Sequence, residues 1–394
     1  MRRIARFIAL GYIVIAIAVA LLQITGITGF AAPLKVLPTP ARPPVVVNLV
    51  YSPEQHEWLT AAAQQFAATG PSVRGRPIQI IMQAQASRSL IADLVQSRLQ
   101  PTAIIPASSA ELPVLTRDWA ARYPGTPIVA AAGPNQPQPI ALSPLVLVGW
   151  KERADLLFPE GTQDLWQRLH DALVRPSWGE LGGRAEWGPV KLGHPSPRTA
   201  SDGIEALVLM AYAYHNKATG LTVNDVNDPG FQRWLLELEA GVTDFPESAA
   251  ILFDALLQKG PSAYDAVVVY ESQAVRGLDR ARRWGEMRVL YPPATTWSDH
   301  PFVVLEASWS TPEQQEAARL FRDFLLGEPA QRLALQYGFR PANASVALNA
   351  STPNNPFPGA FNAGVRPDPP GSVAPPAPEV LDALAAFWEQ HVRR

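Results

Sequence analysis

The sequence predicts an α/β protein built on parallel sheets, carried behind an apolar N-terminal segment. Three observations carry this. Short apolar runs too brief for helices alternate with amphipathic stretches of helical length, which is the β-α-β order of a parallel sheet. The first such unit, Val45 to Phe66 (VVVNLVYSPEQHEWLTAAAQQF), reads as a strand covered on both faces, an abrupt turn, and a helix. Ahead of it, Arg2, Arg3 and Arg6 precede the uncharged stretch IALGYIVIAIAVALLQITGITGF. That stretch exceeds the roughly 20 residues needed to cross a bilayer.

Each element can be justified in order. The basic N-terminal flank predicts a cytoplasmic start and an exported remainder. Residues 1–31 are read as an N-terminal transmembrane helix acting as a membrane anchor, with the membrane segment at residues 4–30. A cleaved signal segment is the other reading, since Gly29-Phe30-Ala31 is a weak cleavage pattern. Residues 32–44 (APLKVLPTPARPP) form a stiff, Pro-rich spacer. After Tyr51, the pattern Ser52-Pro53-Glu54-Gln55 predicts a capping box with Pro at the first helical position, then Trp58, Leu59, Ala62 and Phe66 on one face. Pro77 to Gln83 is a strand, Ala84 to Ser89 a turn, and Leu90, Leu94 and Leu99 a helix face. Ala103 to Ile105 is a third strand followed by Ser108 and Ser109, and Leu112 to Trp119 a helix.

Leu142 to Trp150 is a longer apolar strand, and Thr162 to Leu173 an amphipathic helix. Trp178 to Pro189 reads as a loop. Val190 to Gly193 runs into HPSPRTASDG, and Ile204 to Tyr214 is apolar nearly all round, so it is a buried helix. Helices at 231–241 and 248–259 precede the buried strand Ala266 to Tyr270, with a helix to Arg283. Strands at 289–293 and 302–305 and helices at 312–326 and 330–337 follow. Residues 349–378 read as irregular, and Pro378 to Val392 as a last helix.

Composition excludes several functions. The 394 residues are 47% hydrophobic and 17% charged, with net charge -2, so nothing favours nucleic acid as a partner. The absence of cysteine removes disulfides, thiolate catalysis and zinc–cysteine sites. The six histidines form no H-x-x-x-H pair, and no G-x-S-x-G, G-x-G-x-x-G or P-loop occurs. No cofactor, no metal site and no enzymatic activity are expected. Ser298-Asp299-His300 is a turn before a strand, because adjacent residues point apart.

The order of elements resembles the bacterial extracellular solute-binding proteins associated with ABC transporters. Four stretches carry the likeness: Tyr51-Ser52-Pro53-Glu54; the crossing strand LSPLVLVGWKERA, Leu142 to Ala154; Gly193 to Gly203 before a buried helix; and Ala307 to Phe324 with Tyr337-Gly338-Phe339-Arg340-Pro341. It is similar to molybdate- and sulfate-type binders and to domains that precede von Willebrand A domains. The resemblance implies a two-lobed periplasmic-binding-protein-like fold of type II. Lobe one would be 45–141 plus 294–394 and lobe two 142–293, with hinges near Ala141–Ser143 and Pro292–Thr296. It implies capture of a small molecule or oxyanion in the cleft, with an ABC permease or another membrane complex as partner. The strict ligand signature of a particular subfamily is missing, so the solute is not carried over. The same fold kept as a surface interaction or assembly module is the alternative.

On this reading the ligand-binding residues are Ser52, Ser87, Ser89, Ser143, Ser196, Arg198, Thr199, Ser201, Tyr270 and Glu271. Hydroxyls and helix-start amides bind a desolvated oxyanion through oriented dipoles. Arg198 would add a charged fork. Each has a plainer role: Ser52 as a helix cap, Thr199 as the cap of Thr199-x-x-Asp202. Glu271 would repel an oxyanion, and at the cleft it would favour a cation or a sugar.

Overall fold

The computed structural model describes residues 42–392. The apolar N-terminal stretch and most of the Pro-rich spacer lie outside the described residues. Among those described, no helix is long and apolar enough to cross a membrane.

Two six-stranded sheets organise the chain. In the first, the strand Val45–Tyr51 runs parallel to Arg76–Ala84 on one side and Ala103–Ile105 on the other. Pro301–Val304 then pairs antiparallel with Ala103–Ile105. Alternate residues of the central strands feed two separate cores, which is why Val45–Tyr51 is apolar but for the exposed Asn48 and Ala103–Ile105 is apolar throughout. Val45, Val47, Leu49 and Tyr51 pack with Trp58, Leu59 and Phe66 of the helix His56–Ala68 and with Phe321 and Leu325 of the helix Pro312–Leu326. Val50, Ile104 and Val303 face Leu90, Leu94, Leu115 and Trp119 on the other side.

The second sheet is built on the ten-residue strand Ala141–Trp150. It pairs antiparallel with Ala266–Tyr270, Met287–Leu290, Trp297–Ser298 and Arg340–Pro341. Leu145 and Leu147 join the core around the helix Ser201–Tyr214, while Val146 and Val148 join one around the helices Ala249–Lys259 and Glu271–Ala281. The helix Ser201–Tyr214 is buried from Ser201 to Tyr212. Gly203 in its first turn lets the loop at Pro195 and Ser196 lie against it, because an added Cβ would collide with both backbones.

Several elements differ from expectation. The helix expected to follow a turn at 84–89 begins at Ser87, so Ser87 and Ser89 sit in its first turn. The capping box expected at Ser52 does not form. Pro53–Gln55 is a 3-10 turn whose serine makes no side-chain cap, since its hydroxyl turns to Glu54 instead. The Thr199–Asp202 box is also absent, because the helix starts one residue beyond Ala200. A capping box is present instead at Thr311 and Gln314, at the start of the helix Pro312–Leu326. Residues 178–187 hold two 3-10 turns, and Phe357–Ala360 is a short helix within the stretch read as irregular. The last helix, Pro378–His391, lays Val380, Leu381, Leu384 and Trp388 into the core around Ser201–Tyr214.

Candidate ligand-binding site

The carboxyl ends of the strands in both sheets deliver polar residues to one place. After Tyr51, the Ser52 amide donates to the Ile105 carbonyl at 3.0 Å, which holds the first turn against the neighbouring strand end. The Ser52 hydroxyl donates to Glu54 Oε2 at 2.6 Å, and Gln55 Nε2 donates to Ile105 O at 3.2 Å. Past Ile105, the Ala107 amide donates to Ser87 Oγ at 2.9 Å. Ser108 Oγ accepts from the Ala110 amide at 3.2 Å and starts the turn that buries Glu111. From the second sheet, Tyr270 ends its strand beside Asp202 and Glu205 of the buried helix.

The two sides then touch directly. The amides of Arg88 and Ser89 donate to the Thr199 carbonyl at 3.0 and 3.3 Å. Ser201 Oγ donates to Glu111 Oε1 at 2.9 Å, and Arg88 Nη1 lies 3.5 Å from Glu111 Oε2. Arg276 pairs with Glu57, and Arg117 pairs with Asp382 of the last helix at 2.6 Å. The helix start at Ser87, a natural place for an anion, therefore spends two of its amides on a protein carbonyl.

The interior is acidic. Glu54, Asp202 and Glu205 are 6%, 3% and 5% exposed. Burial pushes the Glu54 carboxyl up, against the pull of its Ser52 hydrogen bond. Asp202 is held well above the usual carboxylate range by burial and by the charges of Glu54 and Glu205. Burial, with Glu111 adding to it, pushes Glu205 up to about 8 even though hydroxyls surround it. Tyr270 OH donates to Glu205 Oε2 at 3.2 Å and Thr296 Oγ1 donates to the same oxygen at 3.3 Å. The Tyr270 phenol is itself raised far above its ordinary range by burial among these acids.

His300 completes the cluster with its Nδ1 3.6 Å from Glu54 Oε1. Burial lowers it to about 3, so it stays neutral. Its backbone sits at φ +43°, held by a hydrogen bond from its amide to Ala107 O at 3.0 Å. Ser298 Oγ donates to the same carbonyl and lies 3.4 Å from His300 Nε2, but Asp299 Oδ1 accepts from the Ser109 amide at 2.7 Å, so the carboxylate is not joined to the imidazole and no three-residue relay forms.

Of the residues read from the sequence, Ser52, Ser87, Ser201 and Tyr270 lie at this junction with Ser89 half-buried beside them. Thr199 is there through its carbonyl, while its hydroxyl donates to Glu247 O at 3.0 Å. Ser143 is fully buried and accepts from the Ser272 amide at 3.0 Å, which caps the helix Glu271–Ala281. Ser196 Oγ accepts from the Arg198 amide at 3.3 Å, and Arg198 is exposed and paired with Glu389 at 3.3 Å. Both Glu271 oxygens are taken by Arg340, at 2.7 and 2.9 Å, with Tyr291 OH as a further donor. Sequence reading passed over Glu54, Glu111, Asp202, Glu205 and His300. Asp202 and Glu205 did leave a signal, as two carboxylates in a helix apolar on every face.

Two spaces reach the cluster. A 380 Å³ groove is lined by Glu54 and Gln273 together with Phe253 and Arg276. A 40 Å³ cavity is lined by Ser108, Glu111 and Glu205 and covered by Trp297, Ser372 and Val373.

The family described as bacterial extracellular solute-binding protein matches residues 47–340. The chain belongs to that family. Among curated protein sequences, none matches this solute-binding protein. Its fold is similar to that of several solved structures. The sulfate-binding protein SubI from Mycobacterium tuberculosis H37Rv is 19% identical, with TM-score 0.54, 84% of this chain and 95% of that one covered. A periplasmic thiamin binding protein is 12% identical, with TM-score 0.58 and coverage of 89% and 96%. Iron-bound HitA from Pseudomonas aeruginosa is 16% identical, with TM-score 0.56 and coverage of 89% and 100%. At these identities the likeness is one of fold: α/β, two-lobed, of the periplasmic-binding-protein kind. The family is one of binding proteins outside the cytoplasm, not of enzymes.

Proposed function

We propose that this protein captures a small solute at the junction between its two sheets and hands it to an ABC-type permease. The observation that carries the reading is the meeting of strand ends from both sheets around buried polar groups, tied across by Thr199, Ser201 and Glu111. Open α/β sheets hold ligands at such strand ends. Among the solved structures of like fold are binders of sulfate, thiamin and iron. The contact residues would be Ser52, Ser87, Ser89, Ser201 and Tyr270, with Glu54, Asp202 and Glu205 added to the sequence-derived set. Residues 4–30 would tether the protein to the membrane with its folded part outside. A secreted form after signal cleavage is the other outcome.

The lobes would divide near Ala141–Ser143 and Pro292–Thr296; close to both, the strand Ala141–Trp150 pairs with Trp297–Ser298. Residues 344–392 favour the second lobe instead of the first, since Val346, Phe357, Leu381 and Trp388 join its cores. A second reading, an interaction module, is favoured by one feature: the cross-ties already fill the junction with the chain's own groups. Thermal-shift screening of the full-length protein against oxyanions, sugars, amino acids and organic cations decides between them. A ligand at a hundredfold excess over its Kd raises stability by about 2.7 kcal/mol. At least one class is expected to do so, and silence across all of them refutes solute capture.

A further inference from the structure

We propose that the solute is an organic cation bearing N–H donors, held by Glu54, Gln55 and Asp202, and not an oxyanion. This rests on the solute-capture reading. Glu54 Oε1, Gln55 Oε1, Asp202 Oδ2 and Gln273 Oε1 are all buried and have no hydrogen-bond partner; Ser272 Oγ, His300 Nδ1 and the donor Arg88 Nε are also unpaired. The four carboxyl and amide oxygens are acceptors and outnumber the one cationic donor. Gln55 is oriented by its Nε2 bond to Ile105 O, which leaves its oxygen as the free end. An oxyanion brings only acceptors, so it would satisfy none of these four atoms. An ammonium or amidinium group brings donors and the missing charge together.

Charge leads the same way. The nearby cations are already engaged: Arg88 with Glu111, Arg276 with Glu57, and Arg340 with Glu271. His300, whose free Nδ1 faces Glu54 Oε1 at 3.6 Å, is neutral. Glu54 and Asp202 have no counter-ion of their own, which together with burial holds both carboxyls above their usual range; a cation bound between them would let them ionise as paired buried charges. Three helix-start amides that could serve an anion are already taken. Those of Arg88 and Ser89 go to Thr199, and that of Ser272 goes to Ser143. A 380 Å³ groove has two of the four residues, Glu54 and Gln273, in its lining. Among the described residues no group of three or more His, Cys, Asp or Glu is placed to hold a metal ion. The chemistry therefore fits an amine better than a metal.

The test is calorimetric titration of the full-length protein with putrescine, spermidine, L-arginine, thiamine and choline, with sulfate and glucose in parallel. At least one N–H cation should bind, sulfate should not, and choline, which has no N–H, should bind at least tenfold more weakly than that cation. Glu54→Gln and Asp202→Asn should each weaken the cation at least tenfold, with the melting of the free protein unchanged or raised. Gln55→Leu removes an uncharged acceptor and should weaken it severalfold, so the test stands if a carboxylate variant fails to fold. Binding of sulfate or glucose with no cation binding overturns the cation assignment and leaves solute capture intact. Silence of every probe overturns both, and cation binding indifferent to all three substitutions places it elsewhere and overturns the assignment.

Discussion

Replacing Glu205 with Gln should change how the protein's stability depends on pH. The residue lies in a fully buried stretch, facing Glu111 from the first sheet, Asp202 on its own helix, and the hydroxyls of Tyr270, Thr296 and Ser108. Its carboxyl holds a proton to about pH 8 in the folded protein, against 4.5 in the unfolded chain. A raised carboxyl contributes stability that is complete below the unfolded value and lost as pH climbs through the folded one. Across that window the loss amounts to about 5 kcal/mol. Gln mimics the protonated acid and does not titrate. Urea denaturation of both proteins from pH 5 to pH 9 reads the difference directly, and taking the difference cancels other groups such as His300. At pH 5 the two should lie within about 1 kcal/mol, the worth of one neutral hydrogen bond. By pH 9 the variant should be the more stable by several kcal/mol. A difference that stays constant from pH 5 to pH 9 would show that Glu205 is ionised and compensated in the fold, and would refute the reasoning.

Two other substitutions test how the C-terminal part of the chain is held. Arg340→Ala leaves Glu271 buried without its bidentate partner and should cost about 3–5 kcal/mol in urea denaturation. Trp388→Ala removes a side chain that is 1% exposed and donates to Glu239 Oε2 at 3.2 Å. It should lower stability by about 3–5 kcal/mol. A loss below 1 kcal/mol would mean that the last helix is only loosely docked.

The fold was largely legible because both-face burial writes itself plainly. The runs at 45–51, 141–150 and 266–270 are apolar but for Asn48 and Ser143, and the structure shows each feeding two cores. The buried helix at 204–214 was equally clear. The site was less legible for reasons of local chemistry. A serine before Pro-x-Gln is the usual sign of a cap, yet Ser52 bonds to Glu54, because the strand end at Ile105 occupies its amide and Gln55. Hydroxyls were the residues singled out, but Ser87 and Ser143 receive backbone amides and Ser201 donates to Glu111. The acids were overlooked because a sequence does not show that Glu54 and the pair Asp202 and Glu205, from two distant segments, meet away from water. Arg198, which looked suited to an anion, faces solvent beside Glu389, a residue 191 positions along the chain.

The most direct test of the account uses the chain's lack of cysteine. Spin labels at Gln65→Cys and Glu160→Cys, both exposed, would report the separation of the two bodies by double electron–electron resonance. Glu111→Ala, which removes the ties to Ser201 and Arg88, should shift the distance distribution to longer values and broaden it. A narrow distribution identical with and without that substitution would contradict a cleft that opens between the sheets.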